Sequence, residues 1–188
     1  RSYDPIRHDE ELLVASDIFH VEDVLVNSIY ALGLQSLTRL LGNRPESREF
    51  RDDAAKTLEG LINKCWDPDA GAFFDLAGKS EKPVKMVTIS SLMPIILSDL
   101  PKSIVEIMVK KWITSDKEFW LPYPLPSVPA SNPKFTPGNP NGFIWRGPTW
   151  INTNWFISKG LYNHGYLALA EHIVSKSIEC IDRSGFRE

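Results

Sequence analysis

Cysteine is scarce in this 188-residue chain: only Cys65 and Cys180 occur, with no CxxC pair and no Cys/His spacing that suits zinc. Neither a disulfide framework nor a metal centre is supported, and a reducing compartment is compatible with the count. Positive charge is not in surplus: 21 Lys and Arg stand against 24 Asp and Glu, a net charge of -3. That removes the electrostatic drive toward nucleic acid or an anionic membrane. No run of 18 consecutive apolar residues is present, so no membrane span is expected. The chain has no N-x-S/T sequon and no glycine-rich phosphate loop, and no cofactor is called for. Its four histidines, His8, His20, His164 and His172, keep no triad-like or ligand-like spacing and read as surface or packing residues. The first residue is Arg1, without an initiator methionine or a signal-type stretch, and the whole reads as a piece excised from a longer protein.

What the chain does have is concentrated between Gly142 and Tyr166, GFIWRGPTWINTNWFISKGLYNHGY. Trp145, Arg146 and Trp150 lie within six positions, and Pro148 matches the preference of proline for the first turn of a helix. Trp145 and Arg146 are therefore expected at a helix mouth. An indole face stacks on the apolar C–H face of a pyranose, and a guanidinium offers five donors in a rigid fork for hydroxyl or carboxylate oxygens. Trp155 is expected in the core, and Trp150 is open between core and site.

Periodicity gives six helical segments and almost no strand, an all-α architecture. The first spans about His20 to Leu41 and stops at Gly42. The second starts on a capping-box-like Asn43 and Glu46 and runs to about Cys65, striped by Phe50, Ala54, Leu58, Leu61, Ile62 and Cys65. The third covers about Val84 to Leu97. The fourth covers Lys102 to Ile113, striped by Ile104, Val105, Met108 and Trp112. The fifth starts near Pro148, and the sixth covers Tyr166 to Arg183, striped by Ala170, Ile173, Val174, Ile178 and Ile181. The odd helices are apolar nearly all round and read as an inner layer; the even ones carry charge on one face and read as an outer layer. In such a toroid the loops from outer to inner helices gather at one end: residues 66–83, 114–147, those after Arg183, and those before His20.

The connection 114–147 carries Pro122, Pro124, Pro126, Pro129, Pro133, Pro137 and Pro140 interleaved with Phe119, Trp120, Tyr123, Phe135 and Phe143. Connections this long are functional or disordered, and aromatic richness argues against disorder. It is expected to be an ordered lid or pocket wall, with Trp120 and Tyr123 as candidate substrate contacts. On the first helix Asp23, Asn27 and Tyr30 make a polar line. Two readings stand: Asp23 in the first turn favours the helix dipole while Asn27 satisfies buried groups, or the line faces the central cavity, with Asp23 and Asn27 contacting substrate.

These residues carry a resemblance. IWRGPTWINTNWFISKGLYNHGY resembles the WRGPxWxNxNW/Y helix of glycoside hydrolase family 63 and its mannosylglycerate and glucosylglycerate hydrolase relatives. FHVEDVLVNSIY at 19–30 is similar to that family's inner helix with a D…N pattern, and WDPDAGAFFD at 66–75 to its W-D…G-x-(F/Y)-x-D loop. Order is kept across nearly the whole chain. The resemblance implies one domain over 1–188 that is about half of an (α/α)6 barrel, present as three inner/outer helix pairs, with its partner the rest of its own catalytic domain. It implies an inverting, exo-acting α-glucosidase or α-mannosidase on a small glycoside or oligosaccharide end. SGFRE at 184–188 matches the start of the segment that carries the family's base, which makes Glu188 the expected general base. Two departures stand out: the aromatic pair that should follow Glu188 is absent, and Ile144 replaces an aromatic. The general-acid aspartate belongs to a motif upstream of this chain.

Length agrees with a half barrel, since twelve helices of ~12 residues with their loops need on the order of 250 residues. Inverting hydrolysis needs one protonated carboxyl for the leaving oxygen and one carboxylate to activate water on the opposite face. Trp145 and Trp150 would wall the sugar subsite, and Arg146 would hold substrate oxygens or a carboxylate. A non-catalytic carbohydrate-binding or interaction module on the same fold is the alternative.

Overall fold

The structure, a computed structural model, describes residues 9–16, 20–138 and 145–185. Glu188, His8, Pro140, Phe143 and Ile144 lie outside the described residues. Helix α1 (Glu10–Ser16) precedes a two-residue strand, β1 (Val21–Glu22), and helix α2 (Val24–Leu41). The start of α2 is set by Asp23, which has extended backbone and accepts the Val26 N–H at 2.8 Å, and its end by Gly42 at φ 59°, whose N–H donates to the Thr38 carbonyl. This corrects the expected start at His20. Residues 21–22 pair with a strand instead of extending the helix, so Asp23 is the N-cap and not a first-turn residue.

Helix α3 (Ser47–Gly60) continues through a π turn at Leu61–Cys65. No capping box forms at Asn43, because residues 42–46 make a turn in which Pro45 disfavours helical backbone at Arg44. Ala54, Leu58, Leu61 and Cys65 are buried as the periodicity requires. The 66–83 connection holds strands that the sequence pattern does not announce. β2 (Trp66–Asp67) pairs antiparallel with β3 (Ala72–Phe73), and β4 (Leu76–Ala77) pairs antiparallel with both β1 and β5 (Lys82–Pro83). Each is two residues long and too short to show a period of two.

A 3-10 helix (Ile89–Ile96) replaces the expected helix from Val84. Val84 and Met86 are exposed ahead of it, and Thr88 and Ser91 form a reciprocal capping box that fixes its start. Helix α4 (Lys102–Met108) with its π turn (Val109–Ile113) matches expectation and buries Ile104, Val105 and Met108. Helices α5 (Ile151–Asn163) and α6 (Leu167–Ser184) close the described chain.

Two of the expected inner/outer pairs are in direct contact. α2 packs on α3 and α5 on α6, while the 3-10 helix lies between α2 and α5 and touches both. Ile89, Leu92, Met93, Ile95, Ile157, Leu161 and Phe73 fill the centre; full burial of each such side chain contributes about 1.5–3 kcal/mol. Trp155 is not part of this core: it is 53% exposed, edge-on to Phe156 and under the Lys159 ammonium. Thr153, Ile157 and Leu161 take the buried face of α5, which puts Trp155, Lys159 and Tyr162 on the other side. On α6 the buried line is Ala170, Ile173 and Ser177, and Val174 and Ile178 are exposed instead. The face is turned because Ser177 Oγ accepts from Asn154 Nδ2.

α2 has a mean hydropathy of 1.2 over its 18 residues, so by length and composition it alone among the described helices is able to cross a membrane. It nevertheless carries Asn27, Ser28, Gln35, Ser36, Thr38 and Arg39, and buries Val24, Ser28, Ala31 and Leu34 in the protein. Its other face, Val26, Ile29, Tyr30, Leu37 and Leu40, is exposed.

Candidate active site

The proline-rich connection is a packed wall and not a tether. Phe119, Leu125 and Val128 are buried, and the segment is stitched at three points. The Ile89 N–H donates to the Ser127 carbonyl at 3.0 Å, the Ser127 N–H to the Pro148 carbonyl at 3.0 Å, and the Gly147 N–H to Ser127 Oγ at 2.8 Å. Ser127 thus ties the start of the 3-10 helix to the approach to α5. These bonds also explain why α5 begins at Ile151 and not at Pro148. Residues 147–149 lie against the wall, with Thr149 bridged to Pro126 and Gly147 at φ 139°. Trp145 and Arg146 therefore sit on the loop before α5, with Trp150 as its extended N-cap residue.

Here Trp145 and Trp150 stack face to face, ring centroids 4.1 Å apart and planes 3° from parallel. Trp145 is 50% exposed and Trp150 half-buried behind it. Trp145 and Arg146 border a recess of about 370 Å³, completed by Asp75, Thr88, Ser90, Ser127 and Lys134. The wall, the 66–83 connection and the approach to α5 meet there, as the toroid layering requires. A larger groove of about 580 Å³ runs over α2 and α3 past Gln35, Arg39, Arg51 and Leu58. No aromatic ring lines it, so it has no stacking platform for a sugar.

Asp75 is the recess residue that motif reading passed over. It closes the 66–75 segment, and its Oδ1 accepts the Val24 N–H at 2.8 Å, which fixes the first turn of α2 beside the recess. Burial pushes its carboxyl above the usual aspartate range; the Val24 hydrogen bond pulls the other way and the nearby Asp23 adds to the rise. Its tie to Val24 spans 51 positions and leaves no local signal in the sequence.

The other sequence candidates divide. Asp23 stays near the recess through Asp75, with one oxygen spent on capping α2. Asn27 turns away: its Nδ2 donates to the Asp23 carbonyl, and its side chain borders a small recess with Thr57, Leu61 and Lys64 of the outer layer. Asp23, Asn27 and Tyr30 therefore do not act as one line into a cavity. Trp120 stacks on His172 of α6 at 4.8 Å. The Tyr123 hydroxyl donates to Glu179 and accepts from Arg183, both also on α6. These two aromatics anchor the wall to the outer helix, because they fall on its α6 side, and they take no part in the recess. Among the described residues no cluster of three His, Cys, Asp or Glu is placed to hold a metal ion.

The chain is similar in sequence and fold to known proteins. A mannosylglycerate hydrolase of Thermus thermophilus is 29% identical over 190 residues, 97% of this chain and 43% of that protein. A probable mannosyl-oligosaccharide glucosidase of Schizosaccharomyces pombe is 26% identical over 77% of this chain and 18% of its own length. Among solved structures, a family 63 mannosylglycerate hydrolase from Thermus thermophilus in complex with Tris superposes with a TM-score of 0.83 at 28% identity, covering all of this chain and 44% of that one. A neutral trehalase from Saccharomyces cerevisiae, 15% identical with a TM-score of 0.70, shares the fold. The chain spans about two fifths of the length of the mannosylglycerate hydrolases it matches, and its three helix pairs are half of an (α/α)6 toroid. With the family model matching residues 2–188, the chain belongs to the mannosylglycerate hydrolase MGH1-like glycoside hydrolase domain family.

Proposed function

We propose that this chain is the second part of the catalytic domain of an inverting glycoside hydrolase that releases a glucosyl or mannosyl unit from a small α-glycoside or an oligosaccharide end. The observation that carries the reading is the exposed Trp145 ring, held flat by Trp150 at the edge of a recess that also contains Arg146 and Asp75. A fixed indole face and a few convergent polar groups are what a pyranose site needs. Trp145 forms the platform of the sugar subsite and Trp150 backs it. Lys134 and Arg146 place two cations in the same recess, which suits a glycoside whose leaving group carries a carboxylate, such as a glycerate.

Glu188 acts as the general base, drawing a proton from water as that water attacks the anomeric carbon; the general acid comes from the part of the domain before Arg1. The rest of the domain also covers the exposed apolar face of α2. No residue of the chain calls for a cofactor. The test is sugar release by the longest product of the gene on a panel of α-glucosides and α-mannosides, glycerate conjugates included, with Glu188→Gln alongside. Release by the parent, with a loss of at least 10³-fold in the variant and sugar binding retained, is expected. Normal turnover by Glu188→Gln overturns the base assignment. Binding without release by the parent favours a non-catalytic carbohydrate module.

A further inference from the structure

Resting on that reading of the recess, we infer that Asp75 binds a hydroxyl of the sugar held against Trp145, through the carboxylate oxygen that the fold leaves unused.

Capping α2 does not account for a carboxylate here. Val24 needs a single acceptor, which an asparagine, serine or threonine would supply without charge, and Asp23 already serves this terminus by accepting from Val26. Asp75 is instead a half-buried aspartate beside a second one, with no cation among the groups that perturb it. Such an arrangement costs stability, because burial and a like charge both oppose ionisation. Local rules broken in this way, without a structural gain, mark functional positions.

The geometry says what the unused oxygen does. Oδ1 is held by Val24 and the Asp75 carbonyl by the Val84 N–H, so the residue is fixed at both ends. Among the described residues no hydrogen bond is made by Oδ2, and Asp75 borders the recess shared with Trp145 and Arg146. An acceptor-only group beside an indole platform is matched by a ligand that presents an O–H at the rim of an apolar ring face, which is a pyranose. Arg146 and Lys134 border the same recess and supply only donors, which complements an acceptor on the other side of the ligand. A carboxylate hydrogen bond is short and strong.

The experiment uses the longest gene product as parent, Asp75→Asn and Asp75→Ala. Binding of monosaccharides is followed by calorimetry, and turnover is measured on the glycoside the parent prefers and on its monodeoxy analogues. Asparagine keeps an acceptor for Val24 but turns the second oxygen, the one the inference assigns to the sugar, into a donor. The parent is expected to lose about 10- to 100-fold in affinity and kcat/KM on one deoxy analogue. Asp75→Asn is expected to lose a similar factor on the full sugar and almost nothing further on that same analogue. If Asp75→Asn keeps the parent's pattern across the deoxy panel, the inference is overturned, whatever happens to melting temperature, because a purely structural role moves stability and not hydroxyl discrimination. A parent that binds sugar with the Asp75-dependent pattern but releases none upholds the inference and sinks the hydrolase reading. A parent that hydrolyses normally with no Asp75 dependence does the reverse. No sugar binding by the parent sinks both.

Discussion

Trp145 and Trp150 stack in parallel at 4.1 Å, five residues apart across the turn that leads into α5. The contact is local in sequence, yet it depends on Gly147, whose φ of 139° brings the chain back on itself between the two rings. A Cβ at Gly147 would lie 2.7 Å from the Pro137 nitrogen, so the wall also closes on this point. Trp150 therefore orients Trp145, and the two act as a unit. Trp145→Ala is expected to weaken sugar binding about tenfold or more, and Trp150→Ala by a smaller factor, since an aromatic pair contributes ~0.5–1.5 kcal/mol beyond its buried area. The double variant should lose little more than Trp145→Ala alone. Calorimetric titration of the full-length protein with its sugar checks this, and additive losses would show that the rings act separately.

A second prediction contrasts two helical glycines. At Gly160 the backbone of α5 lies against the 3-10 helix so closely that a Cβ would stand 2.5 Å from the Ile95 carbonyl oxygen and 2.8 Å from its carbon. Backbone cannot yield as a side chain does, so Gly160→Ala should destabilise the protein by about 1–3 kcal/mol through forced separation of two inner helices. Gly60 closes the outer helix α3 with nothing within 4 Å of its Cβ position. Gly60→Ala should be neutral or stabilising by up to ~1 kcal/mol, because only the helical entropy term changes. Urea unfolding of both variants beside the parent reads the difference, and equal effects would remove the packing argument.

The layering was legible because buried and surface-backed helices differ in composition all along their length. The stripe Ala54, Leu58, Leu61 and Cys65 and the stripe Ile104, Val105 and Met108 are buried as their spacing requires. Boundaries were less legible where another element competed for the backbone. Val84 to Thr88 have an apolar pattern but form an extended approach between β5 and the 3-10 helix, and residues 147–149 are bonded to the wall by Ser127. At the site, Trp145 and Arg146 stood out by type. Asp75 did not, because its significance lies in a tie to Val24 across 51 positions. Trp120 and Tyr123 fall on the α6 side of the wall and outside this recess, a placement the sequence does not announce because the faces of an irregular loop have no period to read.

Asn154 joins three parts of the molecule. Only 1% exposed, it donates through Nδ2 to the Pro124 carbonyl at 3.2 Å and to Ser177 Oγ at 3.1 Å, linking α5 to the wall and to α6. Asn154→Ala should cost about 1–3 kcal/mol, because it strands a buried carbonyl and leaves a small cavity. Ser177→Ala should cost less: the Ile173 carbonyl that it also bonds already lies within helix α6, and Asn154 keeps Pro124. Thermal and urea unfolding of the two variants should rank them in that order. A reversed order would mean that the tie to α6, and not the tie to the wall, is the one that matters.

Cys65 yields a prediction about alkaline pH. It is 7% exposed at the end of the α3 π turn, and burial, with Glu22 and Asp75 adding to it, pushes its thiol from 9.0 up to about 11. Between those pH values the folded protein keeps the thiol proton and the unfolded chain releases it. The native state then binds more protons, so stability falls as pH rises through this window and levels off above it. The urea midpoint of the parent is expected to drop between about pH 9 and 11, and that drop should be shallower in Cys65→Ala, even though the variant is less stable at neutral pH through lost packing. Cys180 is half-buried on α6 and serves as the internal comparison. An aromatic disulfide reagent at neutral pH should label Cys180 in the folded protein and reach Cys65 only after denaturant is added, since thiolate fraction and access both limit the rate. Prompt labelling of Cys65, or an alkaline drop that Cys65→Ala leaves unchanged, would show that this thiol is neither shielded nor linked to folding.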